Sequence, residues 1–193
     1  MRYEYYAWKS RSHGGFATLE ALTNVEDAYE IGRGVPRSKS FPEDACFHMN
    51  PAFPKEIKLA DNIKNRDLLL VVSGPLKSFI EAREPRSTEY LPITIYNHNN
   101  RVASDDYFII NPHQVIDCID QEASDLTWNK IDPELISSCF GLVVDESRID
   151  DSLLLFRLKY MPNVVLVRED LVEDLEGASF TGLRFVELDE FEL

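Results

Sequence analysis

The stretch YFIINPHQVIDCIDQEASD, residues 107–125, gathers one histidine, one cysteine and four carboxylates. These residue types bind metals or carry nucleophilic and acid–base chemistry. Asn111 followed by Pro112 has the form of a helix start, a side-chain oxygen to cap and then a ring that fixes φ. On the helix this predicts, Val115, Ile116 and Ile119 form an inward face, and His113, Asp117 and Asp120 fall at i, i+4 and i+7 on the other. A histidine and an aspartate one turn apart can share a metal, so a small metal-dependent hydrolase using His113, Asp117 and Asp120 is one reading. A metal site needs three or four converging ligands with support behind them. The sequence has no HExxH or HxxxH pair to supply them. Cys118 lies five residues beyond His113, about 140° round a helix, so the two do not form a thiol–imidazole pair. The plainer reading is a solvated acidic face, with no catalytic residue, metal or cofactor expected.

Other candidates are weaker still. EIGRGVPRSKS (30–40) has glycines and cationic side chains but neither the GxxxxGK[ST] spacing of a phosphate loop nor a buried strand before it. SGP at 73–75 lacks the flanking glycines of a nucleophile elbow. Trp8 and Trp128 fit a core as well as an interface. Cys46, Cys118 and Cys139 are odd in number and widely spaced, which points to reduced, mostly buried thiols in a cytoplasmic protein.

The elements that would position these residues are legible mainly after residue 66. RYEYYAW (2–8) alternates as a strand does, and Asn24 opens a short helix stopped by Gly32 and Gly34. Residues 35–59 hold four prolines, so 1–66 reads as an irregular, Pro-rich segment or subdomain that wraps the rest. Residues 67–193 read as an α+β domain. LLLVV (68–72) is a buried strand leading into a helix capped by Ser73, with Pro75 in its first turn and Leu76, Phe79 and Ile80 on one face. YLPITIY (90–96) is a strand whose Pro92 must lie at an edge or bulge, NHNN (97–100) is a turn, and YFIIN (107–111) is a further strand. FGLVVD (140–145) is a strand candidate, and LLLFRL (153–158) is a strand or a helix. VVLVREDLVEDLEGASFTGLRFVEL gives strand, helix and strand, with Glu169 and Asp170 suited to the helix N-terminus, Leu171 and Leu175 inward, and Gly177 at its end. The fold class expected is α+β, a mixed, mostly antiparallel sheet with several short helices packed on it.

The net charge of −14 is unevenly placed. Residues 1–100 carry 13 acidic and 13 basic side chains, whereas residues 101–193 carry 21 and 7. A field of that sign repels nucleic acid and speeds encounter with a basic protein by roughly 10- to 10³-fold. A solubility coat is the bland alternative. No apolar run approaches the ~20 residues of a membrane span, and the N-terminus lacks the apolar core of a signal peptide.

DLLLVVSGPLKSFIEA, YFIINPHQVIDCIDQEAS, LLLFRL with Phe156 and Arg157, and the closing VVLVREDLVEDLEGASFTGLRFVEL occur in an order and spacing that resembles a bacterial family. That family was first catalogued as a domain of unknown function and is now classed among the immunity proteins of polymorphic toxin systems. The resemblance spans about residues 67–187. It implies a non-enzymatic inhibitor that binds a cognate secreted toxin stoichiometrically. Such toxins, including those delivered by type VI secretion, are often nucleases with basic active faces. The carboxylates then expected to meet the toxin are Asp117, Asp120, Glu122 and Asp125; Asp145, Glu146, Asp150 and Asp151; and Glu169, Asp170, Glu173 and Asp174. A non-catalytic scaffolding module is the remaining rival.

Overall fold

The computed structural model describes residues 3–11 and 14–193. Twelve strands and two α-helices follow the order β1 (Tyr5–Ser10), β2 (Cys46–His48), β3 (Asn62–Ile63), β4 (Leu70–Ser73), α1 (Gly74–Glu81), β5 (Thr88–Tyr96), β6 (Val102–Pro112), β7 (Val115–Ile116), β8 (Asp125–Trp128), β9 (Ile136–Phe140), β10 (Leu155–Leu158), β11 (Met161–Arg168), α2 (Glu169–Gly177) and β12 (Leu183–Glu187). Short 3-10 turns occupy Ala28–Arg33 and Glu146–Arg148. One five-stranded sheet runs β12-β1-β11-β10-β7, a second runs β2-β5-β6-β4-β3, and β8 and β9 form a separate hairpin. Each large sheet ends in one parallel pair, β10 with β7 and β2 with β5, so both are mixed. The expectation of several helices on a single sheet is therefore corrected: strands dominate, and the α-helices are few.

Strand alternation distributes the apolar residues over three cores. On β1, Tyr5 and Ala7 face one way and Trp8 the other. Tyr5 and Ala7 join Phe156, Leu158, Leu166 and Val186 in a core covered by residues 118–153 and Phe191. Trp8 joins Leu155, Val165 and Val167 of the first sheet with Leu70, Val72 and Ile110 of the second, together with Leu76 and Ile80 of α1 and Leu171 and Leu175 of α2. Both helices thus lie in the core that the two sheets share. The outer face of the second sheet, with Phe47, Val71, Leu91, Ile93, Ile95 and Ile109, is covered by Ala17, Leu19, Ile31 and Met49. The proline-rich segment supplies two edge strands, β2 and β3, to this sheet.

The local signals around α1 act as expected. Ser73 Oγ accepts a hydrogen bond from Leu76 N–H, and proline sits in the first turn. A cap of this kind contributes about 1 kcal/mol. Pro92 faces Phe108 of β6, at a point beyond the β2 ladder, which covers only Thr94–Tyr96, so its missing N–H leaves no gap. LLLFRL resolves as a strand over Leu155–Leu158. FGLVVD does not form one. Phe140 ends β9, and Gly141 takes φ +70°, a left-handed conformation that turns the chain. The helix expected from Asn24 is a 3-10 turn beginning at Ala28, and Gly34 ends it at φ +77°.

Two polar seams tie the sheets together. At one, Trp8 Nε1 donates to Asn62 Oδ1 at 3.1 Å, and the Asp61 carboxylate accepts from Thr181 N–H and Oγ1–H. The other lies where β6 leaves the second sheet and β7 joins the first, and it contains the stretch that looked chemical.

Candidate functional site

No helix follows Asn111. β6 continues through Pro112, and the chain crosses to the edge of the first sheet as β7. Asn111 is fully buried, and its side chain is fully used. Nδ2 donates to Val35 O at 3.0 Å and to Glu89 Oε1 at 2.8 Å, while Oδ1 accepts from Arg157 Nη2 at 3.1 Å. Arg157, 2% exposed, also donates to the carbonyls of Pro112 (2.9 Å), Gly32 (3.1 Å) and Pro162 (2.7 Å). Burial pulls its pKa down to about 10, so it stays charged at neutral pH. Gly34 belongs to this packing: a Cβ there would sit 3.1 Å from Pro112 O and 3.2 Å from Arg157 Cδ. Glu89 closes the network by accepting the N–H groups of Arg37 and Ser38 at 2.8 and 2.9 Å. The cap-and-proline pattern at 111–112 is thus overridden by tertiary partners: the asparagine clamps an interior arginine.

The candidate ligands diverge. His113 Nε2 lies 3.4 Å from Glu89 Oε1. Asp117 pairs with Lys159 at 3.0 Å. Asp120 Oδ1 accepts from Glu122 N–H and Ala123 N–H, bracing a turn. Among the described residues, no group of three or more His, Cys, Asp or Glu is placed to hold a metal. Cys118 is buried, and burial pushes its thiol up to about 12, which removes it as a nucleophile at neutral pH. All three cysteines are free and buried.

The carboxylates fall in three groups, together the acidic band, which backbone hydrogen bonds and the cations Arg148 and Arg168 connect. Residues 118–120 run beside 143–145: Asp145 N–H donates to Cys118 O at 2.7 Å, and Asp120 N–H to Val143 O at 2.9 Å. Arg148 pairs with Asp145 at 3.1 Å and donates to Asp117 O. The first two acidic groups therefore share one surface. The second reaches the third through Arg168, which donates to the Asp151 carbonyl and, through Nε and Nη2 at 2.7 Å each, to both oxygens of Asp170. Asp174 on α2 pairs with Arg83 at 2.8 Å. Glu146, Asp150 and Asp151 line a depression beside Tyr3 and Tyr5. Glu122, Asp125, Asp150, Asp151 and Glu173 are exposed.

Local donors hold several of these groups anionic. The Lys159 ammonium lowers Asp117, the Ser147 hydroxyl lowers Asp145, the Ser152 hydroxyl lowers Asp150 and the Arg168 guanidinium lowers Asp170. Sequence reasoning missed Glu176, Glu187 and Glu190, which join Glu169 and Glu173 around a cleft floored by Tyr6, Val172 and Phe185. The pairing of β1 with β12 sets Tyr6 opposite Glu187, and the bond from Glu169 N–H to Glu4 O brings the start of α2 beside the same strand. No short-range pattern could have found it.

Among the described residues, the candidate ligands His113, Asp117 and Asp120 do not converge on one site. The sequence matches the immunity protein family Imm11 over residues 3–190, and the chain belongs to that family. The match takes in the proline-rich segment as well as the residues after it. Membership supports a role in toxin immunity with a cognate toxin as partner, and suggests an inhibitor rather than an enzyme. No curated protein matches the chain. Among the described residues, no helix is long and apolar enough to cross a membrane.

Proposed function

We propose that this protein neutralises a secreted bacterial nuclease, of the kind delivered by type VI secretion, by binding it one-to-one in the cytoplasm through the acidic band. The observation that carries this is the charge distribution: the entire −14 belongs to residues 101–193. A nuclease presents lysine and arginine to phosphates, and carboxylates held anionic by neighbouring donors can occupy that surface or its rim. Inhibition then needs no cofactor and no chemistry from this chain.

The experiment is to mix the purified chain with the toxin domain encoded beside its gene. The expected result is a stable one-to-one complex and loss of nucleic-acid cleavage at equimolar ratio. Cleavage that persists at excess chain, or a toxin that leaves nucleic acid intact, contradicts the reading.

A further inference from the structure

A second surface lies next to the acidic band and has a different character. The 3-10 turn at Ala28–Arg33, the β8–β9 hairpin and the tight turn between β10 and β11 enclose two adjoining depressions of about 310 and 330 Å³. Arg33, Leu135, Tyr160 and Pro162 line both, so they form one groove. Its apolar rim is open: Tyr29 is 61% exposed and Leu193 43%. Trp128 packs edge-on against Tyr160 with ring centroids 5.2 Å apart and keeps a third of its surface in water. Large apolar side chains scattered singly need no explanation, but several around one concave site mark a contact surface.

The charges at the groove say what would fit it. Its two cations are already engaged: Arg33 lies over the Tyr29 ring, and Lys159 is paired with Asp117. Asp67 accepts Leu22 N–H. Asp132 and Glu134 have no cationic partner among the described residues. The groove thus offers an apolar floor with unneutralised carboxylates at one lip, and through Lys159 and Asp117 it is continuous with the acidic band.

We infer that this groove is the anchoring part of the toxin interface and takes a toxin segment in which an apolar or aromatic side chain is flanked by lysine or arginine. This rests on the toxin-binding function proposed above. The band governs encounter, and the groove governs residence. Burial of an anchor side chain in a pocket of this size contributes the kind of binding energy that alanine substitution removes at a hot spot.

The test uses the full chain and a catalytically inactive form of the toxin encoded beside it. Tyr29→Ala with Leu193→Ala changes two exposed side chains of the rim, and Leu193→Asp alone serves as a second variant at an exposed position. Expected is at least about a tenfold loss of affinity for each, carried by faster dissociation and little changed by salt, with melting temperature unaltered. Glu134→Lys should slow association at low salt. Affinities within about twofold of the parent, while the parent binds tightly, overturn the groove and leave the toxin reading intact. A parent that does not bind overturns both. Sedimentation showing that the variants abolish self-association, with toxin affinity unchanged, overturns the inference in favour of a second copy as the occupant.

Discussion

The junction around Arg157 and the acidic band along residues 117–174 are built from the same residue types and treat them in opposite ways. In the junction every charge is enclosed. Arg157 spends its donors on three carbonyls and Asn111, and Glu89 receives two backbone amides and the same asparagine. In the band, Asp117, Asp145, Asp170 and Asp174 meet single cations at the surface, while Glu122, Asp125 and Glu173 face water. Buried polar groups of the first kind hold two sheets in register, because removing any member strands the others without water. Exposed ones of the second kind add little to folding and remain available to a partner. Residue type alone does not separate these roles; enclosure does.

The comparison breaks most visibly at Arg157. Arg157→Met keeps the volume and strands the carbonyls of Gly32, Pro112 and Pro162 together with Asn111 Oδ1. The expected cost is about 3 kcal/mol or more. For a chain of this length that lowers the melting temperature by roughly 6–12 °C. A calorimetric melt within about 2 °C of the parent would show that the junction is not what locks the sheets.

A smaller effect is expected from acid. Burial alone would raise Glu89, but the hydrogen bonds from Asn111, Arg37 N–H and Ser38 N–H outweigh it and hold its pKa below the ordinary value of 4.5. A carboxylate depressed in the folded state contributes stability that is full above its unfolded pKa and is lost as pH falls through the folded one. Denaturant midpoints should therefore fall as pH drops below about 4.5, and Glu89→Gln should flatten that fall while lowering stability at pH 7. Asp61, depressed by its bonds from Thr181 and Ser73 despite burial, leaves a residual acid limb in the variant. Parallel curves for parent and variant would show that Glu89 does not contribute to the acid limb.

How far the sequence could be followed depended on whether local chemistry met tertiary demand. Ser73, Gly74 and Pro75 read as a cap and helix start and are one, because Leu76 and Ile80 find a core on the matching face. Asn111 and Pro112 carry the same signal and are a strand end, because the asparagine is taken by Arg157 and Glu89, residues 46 and 22 positions away. The polar start of β6, VASDD, concealed an eleven-residue strand. Within residues 1–66, read from the prolines as an irregular segment, two short strands join the second sheet, β2 through β5 nearly fifty residues on and β3 through its near neighbour β4. The three acidic groups were visible in sequence. Their union through Arg148 and Arg168 was not, since it depends on pairings across 31 and 17 residues.

On the function proposed, the band is spare for folding and decisive for encounter. Glu122→Lys, Asp125→Lys and Glu173→Lys together alter three exposed carboxylates and should each change stability by no more than about 0.5 kcal/mol. The direct measurement is the rate constant for association of this variant and its parent with the inactive toxin across a salt series. Association of the variant should be slower by about tenfold or more at low salt, the two rates converging near 1 M, where the screening length is roughly 3 Å. Equal rate constants at low salt, with both proteins folded and both binding, would contradict the band's role in encounter.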